Sequence, residues 1–204
     1  MDVEDFFRFL FRMTLSGSKL NKDVDQMRKD LAPLRARLIP FSKEEMDLLS
    51  VNQSFQSKKR GFTKMATGAL DTIYYEPLFA YSRKWLYSNQ PITLVCNSKN
   101  DYVYLDKGNR LHVYINLKEV GIIDSQGKMI GLNNKILGYI DTSTNAPTFS
   151  VYIYDKLIGF VTNPKHEDKA LPRFYSLLRD ITDEEREILI CLSLIFIIDH
   201  YVEN

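Results

Sequence analysis

The chain has 204 residues, enough for one large domain or a smaller one with an appendage, and its 27 basic and 26 acidic side chains leave a net charge of +1. No global field recruits nucleic acid, so nucleic acid is not expected as a partner. Two cysteines, Cys96 and Cys191, each lie in an apolar run and read as small core side chains rather than a disulfide framework or metal knuckle.

At the N-terminus, Asp2, Glu4 and Asp5 stand where a signal peptide carries positive charge, and no apolar run has the length of a membrane span. A cytoplasmic protein is the expectation. From Asp2 to Leu15, apolar residues recur at helical spacing and predict an amphipathic helix with an aromatic face, Phe6, Phe7, Leu10 and Phe11. That face would dock a partner, a second copy or the rest of the chain, or insert at a membrane interface.

A second helical pattern follows after Ser16-Gly17-Ser18, with Leu20, Val24, Met27, Leu31, Leu34 and Leu38 alternately four and three apart and Pro33 among them. Two heptads are too few for a free-standing coiled coil. Ser42 and Glu45 have the spacing of a capping box, so a short helix is predicted up to about Leu49. Residues 51–64 are polar and basic and predict a linker or long loop. The expected organisation is therefore a helical arm and linker over residues 1–60 and a second unit over residues 61–204.

Beyond about Thr72 the period changes to two. Leu111, Val113 and Ile115 alternate with His112, Tyr114 and Asn116, and Phe149, Val151 and Ile153 repeat the device, as in antiparallel strands with one buried face. Further strands are expected near residues 72–75, 84–87, 92–95, 102–105, 120–124, 128–131, 137–141 and 158–162, separated by turn signals such as Lys107-Gly108-Asn109. Three segments, opening at Val120, Leu137 and Ile158, share the pattern apolar, Gly, apolar, apolar, polar, polar. A glycine within a strand permits a bend or the close approach of a neighbouring backbone, as a strongly curved sheet requires.

Thr182 and Glu185 form a second capping-box pair, so a helix is predicted from about Asp183. From Ile188 to Ile198 only Ser193 is polar, so this helix must be buried on all sides while being too short to span a bilayer. The fold class is α+β: an antiparallel β-barrel or strongly curled sheet around a buried C-terminal hydrophobic helix, with a helical N-terminal arm.

The run Val151-Tyr-Ile-Tyr-Asp-Lys-Leu-Ile-Gly-Phe-Val161 and the acidic-then-apolar helix from Glu184 to Tyr201 resemble the tubby-like architecture of tubby C-terminal domains, phospholipid scramblases and LURP-one-related proteins. The resemblance covers about residues 72–204 and implies a binding module for membrane lipids or protein partners. It carries over no catalytic or phosphoinositide-binding residue.

Chemistry is sparsely marked. His112, His166 and His200 lie far apart without partners at ligand spacing, and no nucleophile elbow, P-loop, dinucleotide fingerprint or zinc-protease motif occurs. No catalytic, metal or cofactor-binding residue is nominated. Two basic clusters, Lys58-Lys59-Arg60 and Arg83-Lys84, are the candidate contacts for anionic lipid head groups, against the plainer reading of solvated charges. The function expected is a non-catalytic binding or scaffold module. Its alternative is a peripheral membrane protein, and the third reading is an enzyme with its site at a barrel mouth.

Overall fold

The computed structural model describes residues 17–60, 63–85, 91–165 and 173–202, without the side chains of residues 17–19, 52–60, 63–64 and 201. The aromatic face of Phe6, Phe7, Leu10 and Phe11 lies outside the described residues. Two helices come first, α1 (Gly17–Arg35) and α2 (Lys43–Asp47), then twelve strands, then α3 (Asp183–Val202). The strands are β1 (Leu49–Arg60), β2 (Thr63–Thr72), β3 (Pro77–Trp85), β4 (Pro91–Cys96), β5 (Asp101–Asp106) and β6 (Leu111–Ile115). They continue as β7 (Lys118–Ile123), β8 (Lys128–Gly131), β9 (Ile136–Asp141), β10 (Thr148–Ile153), β11 (Lys156–Thr162) and β12 (Tyr175–Leu177).

Each strand pairs antiparallel with its neighbour in sequence, giving one twelve-stranded meander. An antiparallel bridge between Ser50 and Arg173, with the Phe174 N–H donating to the Leu49 carbonyl at 2.7 Å, brings the two ends together into a nearly closed barrel. Residue-by-residue alternation along each strand sorts side chains by face. Phe79, Tyr81, Val95, Tyr102, Tyr104, Val113, Val151 and Ile153 belong to the interior core, with Leu189, Ile190, Leu192, Leu194, Ile195, Ile197 and Ile198 of α3 at its centre. The all-round apolar helix therefore has the sheet as its shell.

The hydroxyls of Tyr104, Tyr175 and Ser193 are matched inside the barrel. The Tyr104 hydroxyl donates to the Cys191 carbonyl at 3.0 Å, and Tyr175 hydrogen-bonds Ser193, whose hydroxyl also reaches the Leu189 carbonyl at 2.6 Å. Burial pushes the Cys191 thiol and both phenols well above their ordinary pKa values. At the start of α3 the capping box forms in both directions: Glu185 N–H to Thr182 Oγ1 at 3.2 Å and Thr182 N–H to Glu185 Oε2 at 2.9 Å.

The seam of α1 packs against the outside of the barrel rather than against another helix. Val24, Met27 and Leu31 meet Ala80, Ile92, Leu94, Cys96, Val103 and Leu105. The buried Asp101 carboxylate fixes the helix by accepting from Arg28 at 2.7 Å and Arg35 at 2.8 Å.

Two expectations change. Residues 51–64, expected as a linker, supply most of β1 and the start of β2, because backbone pairing from Gln53↔Leu70 to Arg60↔Thr63 needs no apolar side-chain pattern. The strand expected near 72–75 becomes the end of β2 and the β2–β3 turn. Of the one expected near 84–87, Lys84 and Trp85 end a longer β3, which lies buried on both faces and so lacks alternation, while residues 86–87 lie outside the described residues.

The three repeated glycines have one structural cause. A Cβ on Gly121, Gly138 or Gly159 would collide with the carbonyl oxygen of Ile130, Tyr152 or Ser176 respectively, all on or beside neighbouring strands, at 2.6 Å for Gly138 and 2.5 Å for Gly159. Each glycine lets an adjacent backbone come closer than any side chain permits.

Candidate functional site

Odd-numbered strands run toward one end of the barrel and even-numbered strands away from it. The end reached by β3, β5, β7 and β9 forms the mouth, and the opposite end is the base. α3 runs in the same sense, since Glu184 hydrogen-bonds Tyr154 in the β10–β11 turn at the base, whereas Asp199 pairs with Arg83 near the mouth end of β3.

Between the mouth half of α3 and the inner wall lies a cavity of about 780 Å³. Its apolar walls are Leu111, Ile123 and Ile140 from the strands and Leu192, Ile195 and Phe196 from the helix. Asp106, Arg110, Gln126 and Thr142 line it from the strand ends and connecting turns. Two of those turns are held by glycines with positive φ, Gly108 at +64° and Gly127 at +76°. The Asp124 carboxylate also accepts the N–H groups of Gln126 and Lys128, both at 2.9 Å. The rim is therefore built of short, internally bonded turns.

Arg83 and Asp199 form the ionic feature of the cavity wall. Their side chains meet at 2.7 Å, with the arginine 4% and the aspartate 42% exposed, and the guanidinium lies 5.9 Å from the centroid of the Trp85 ring. Arg83 shares the inner face with Phe79 and Tyr81, four and two residues away. Lys84 projects to the opposite face and bonds Asp23 of α1 at 2.7 Å. The adjacent pair Arg83-Lys84 is thus split across the sheet, one charge inside and one under α1.

Lys58, Lys59 and Arg60 end β1. Their register partners are Met65, Lys64 and Thr63 on β2, and Met65 in turn pairs with Lys84 on β3, so this hairpin tip lies toward the mouth. The structure brings Lys58 and Lys84 into one row of the sheet while Arg83 turns inward.

The two described histidines, His112 and His200, do not line the cavity. His112 bonds Glu119 across the β6–β7 pair at 2.7 Å, and His166 lies outside the described residues. His200 is half-buried, and burial lowers its pKa, with Lys165 acting in the same direction. Among the described residues, no three His, Cys, Asp or Glu side chains are placed to hold a metal ion. The aromatic strand faces are engaged within the fold: Tyr114 packs beneath α1, and Tyr139 and Tyr152 stack at 5.0 Å. No described helix is long and apolar enough to cross a membrane.

The cavity is lined by residues from β3, β4, β5, β6, β7, β9 and α3, spread between Arg83 and Asp199, so only the fold assembles it. One signal for Arg83 existed in the sequence: the phase of Phe79, Tyr81 and Arg83 places all three on one side of a strand. Compared with protein-family models, curated proteins and solved structures, the chain matches none.

Proposed function

We propose that this protein is a non-catalytic binding module of tubby-like architecture that takes an amphipathic small molecule at the barrel mouth. The observation that carries the reading is the cavity of about 780 Å³ between α3 and the wall, within the size of ordinary small-molecule sites and combining apolar walls with a polar rim. An apolar body would rest against Leu111, Ile140, Ile195 and Phe196, with its polar head among the rim turns. The cytoplasm is its proposed setting, consistent with Cys96 and Cys191 being free, buried thiols.

The single tryptophan of the chain, Trp85, lines the cavity and makes binding visible. Titration with medium-chain carboxylates, amines and phosphocholines should shift its emission saturably for at least one head group. Thr142→Phe, which fills the rim without adding a second indole, should weaken that ligand by at least about tenfold. Absence of a saturable change across the series would overturn the reading.

A second reading, peripheral attachment to an anionic membrane, rests on the position of Lys58, Lys59 and Arg60 at the mouth end. It requires salt-sensitive co-sedimentation with anionic vesicles that is lost when these three residues become glutamine. Binding that ignores either change would remove it.

A further inference from the structure

The exposed large apolar side chains among the described residues are not scattered: all of them lie at the base. Tyr75 projects from the β2–β3 turn, Leu117 from β6–β7, Leu132 from β8–β9, Tyr154 from β10–β11 and Leu178 from the segment after β12, with exposures from 40% to 78%. Single exposed apolar residues are ordinary, but their concentration at one end marks a contact surface.

Charge selects the occupant. Among the solvent-facing charges of the strand connections at the base and the residues opening the elements that follow, Lys99, Lys118, Lys135, Lys156 and Arg179 stand against Glu76, Asp155, Asp180, Asp183 and Glu184, five of each sign, Asp101 being buried against Arg28 and Arg35. An anionic membrane or a strongly charged partner gains nothing net from such a face. A second copy does, because a two-fold contact sets each patch against itself and requires it to carry both signs.

The dimensions agree. Twelve strands spaced about 4.8 Å and tilted about 40° close on a diameter of about 24 Å, so with its side chains the base presents about 900 Å². A stable interface takes about 800 Å² from each partner. We infer that the base is a self-association surface on which two copies of this chain meet end to end, leaving both mouths open.

Sedimentation velocity of the full chain should show a dimer whose fraction rises with concentration over about 1 to 200 µM. The double variant Leu132→Lys with Leu178→Lys replaces exposed side chains, so it should keep its melting temperature. Each symmetric contact then gains like charges, and the dissociation constant should rise by about 100-fold or more. Mixing it with the matching Leu132→Glu, Leu178→Glu variant should restore a dimer. A chain that stays monomeric throughout, or a dimer indifferent to both variants, overturns the inference. Wild-type monomers that bind vesicles through the same leucines would overturn it in favour of a membrane surface. The Trp85 titration reads the opposite end, so failure of one proposal leaves the other measurable.

Discussion

Replacing Gly138 by alanine tests whether the repeated strand glycines are what let the barrel close. Gly138 sits on β9 between Met129 of β8 and Ile153 of β10. An added Cβ would stand 2.6 Å from the Tyr152 carbonyl oxygen, 3.2 Å from Ile153 Cγ1 and 3.3 Å from Leu192 Cδ1 on the central helix. A carbon rests no closer than about 3.3 Å to a carbonyl oxygen, so β9 and β10 must separate by about 0.7 Å or push on α3. Overpacking of this kind costs about 1–3 kcal/mol, while alanine recovers about 0.4–1 kcal/mol by restricting the unfolded chain. The net expectation is a loss of about 1–2 kcal/mol, or about 2–8 °C in Tm for a chain of this size. Gly131 is the control, because the three atoms nearest its Cβ would be side-chain ends of Asn133 and Leu137 at 3.2–3.3 Å, not backbone. Gly131→Ala should change stability by less than about 0.5 kcal/mol. Urea melts of the two variants decide the matter. Equal stability in both would show that close backbone approach does not set the need for glycine here.

Three further outcomes follow from the core and its charges. Leu194 is fully buried on α3 and outside the cavity lining, so Leu194→Ala should cost about 2–5 kcal/mol and Leu194→Asp should abolish the cooperative melt; a soluble aspartate variant with a sharp transition would refute the central position of the helix. Asp101→Asn removes the anion shared by Arg28 and Arg35, and since both arginines are about one-third exposed and can rehydrate, the loss should be about 1–3 kcal/mol, with faster amide exchange in α1 than in the barrel. Glu185 is held down to about 2 by its hydrogen bonds from Arg179 and the Thr182 N–H, against an ordinary value of 4.5. Its contribution is therefore present above about pH 4.5 and lost as pH falls toward 2, a slope that Glu185→Gln should flatten in acid melts.

What the sequence displayed depended on whether a strand kept one face in water. β6 and β10 alternate cleanly because their outer faces are partly exposed, and the helix caps at Ser42 and Thr182 are local chemistry that survives folding unchanged. β3 to β5 lie between the barrel interior and α1, so both faces are buried and the period of two disappears. β1 hid for the opposite reason: it is long and polar, and backbone hydrogen bonding with β2 is indifferent to that.

The candidate site was legible in even smaller part, because a charge run says nothing about faces until a strand is assigned. Arg83 and Lys84 read as one basic cluster, yet a strand separates them into an ion pair with Asp199 inside and one with Asp23 outside. That separation also limits where a ligand can go. α3 and the inward side chains of Tyr104, Tyr175 and Phe149 fill the middle of the barrel, and the cavity opens where the helix approaches its end. There the wall must satisfy Asp199, and Arg83 is the inward side chain that does so. The ion pair therefore both ends the packed core and forms the wall of the space beyond it, which is why the residues at the cavity come from seven separate elements and not from any motif.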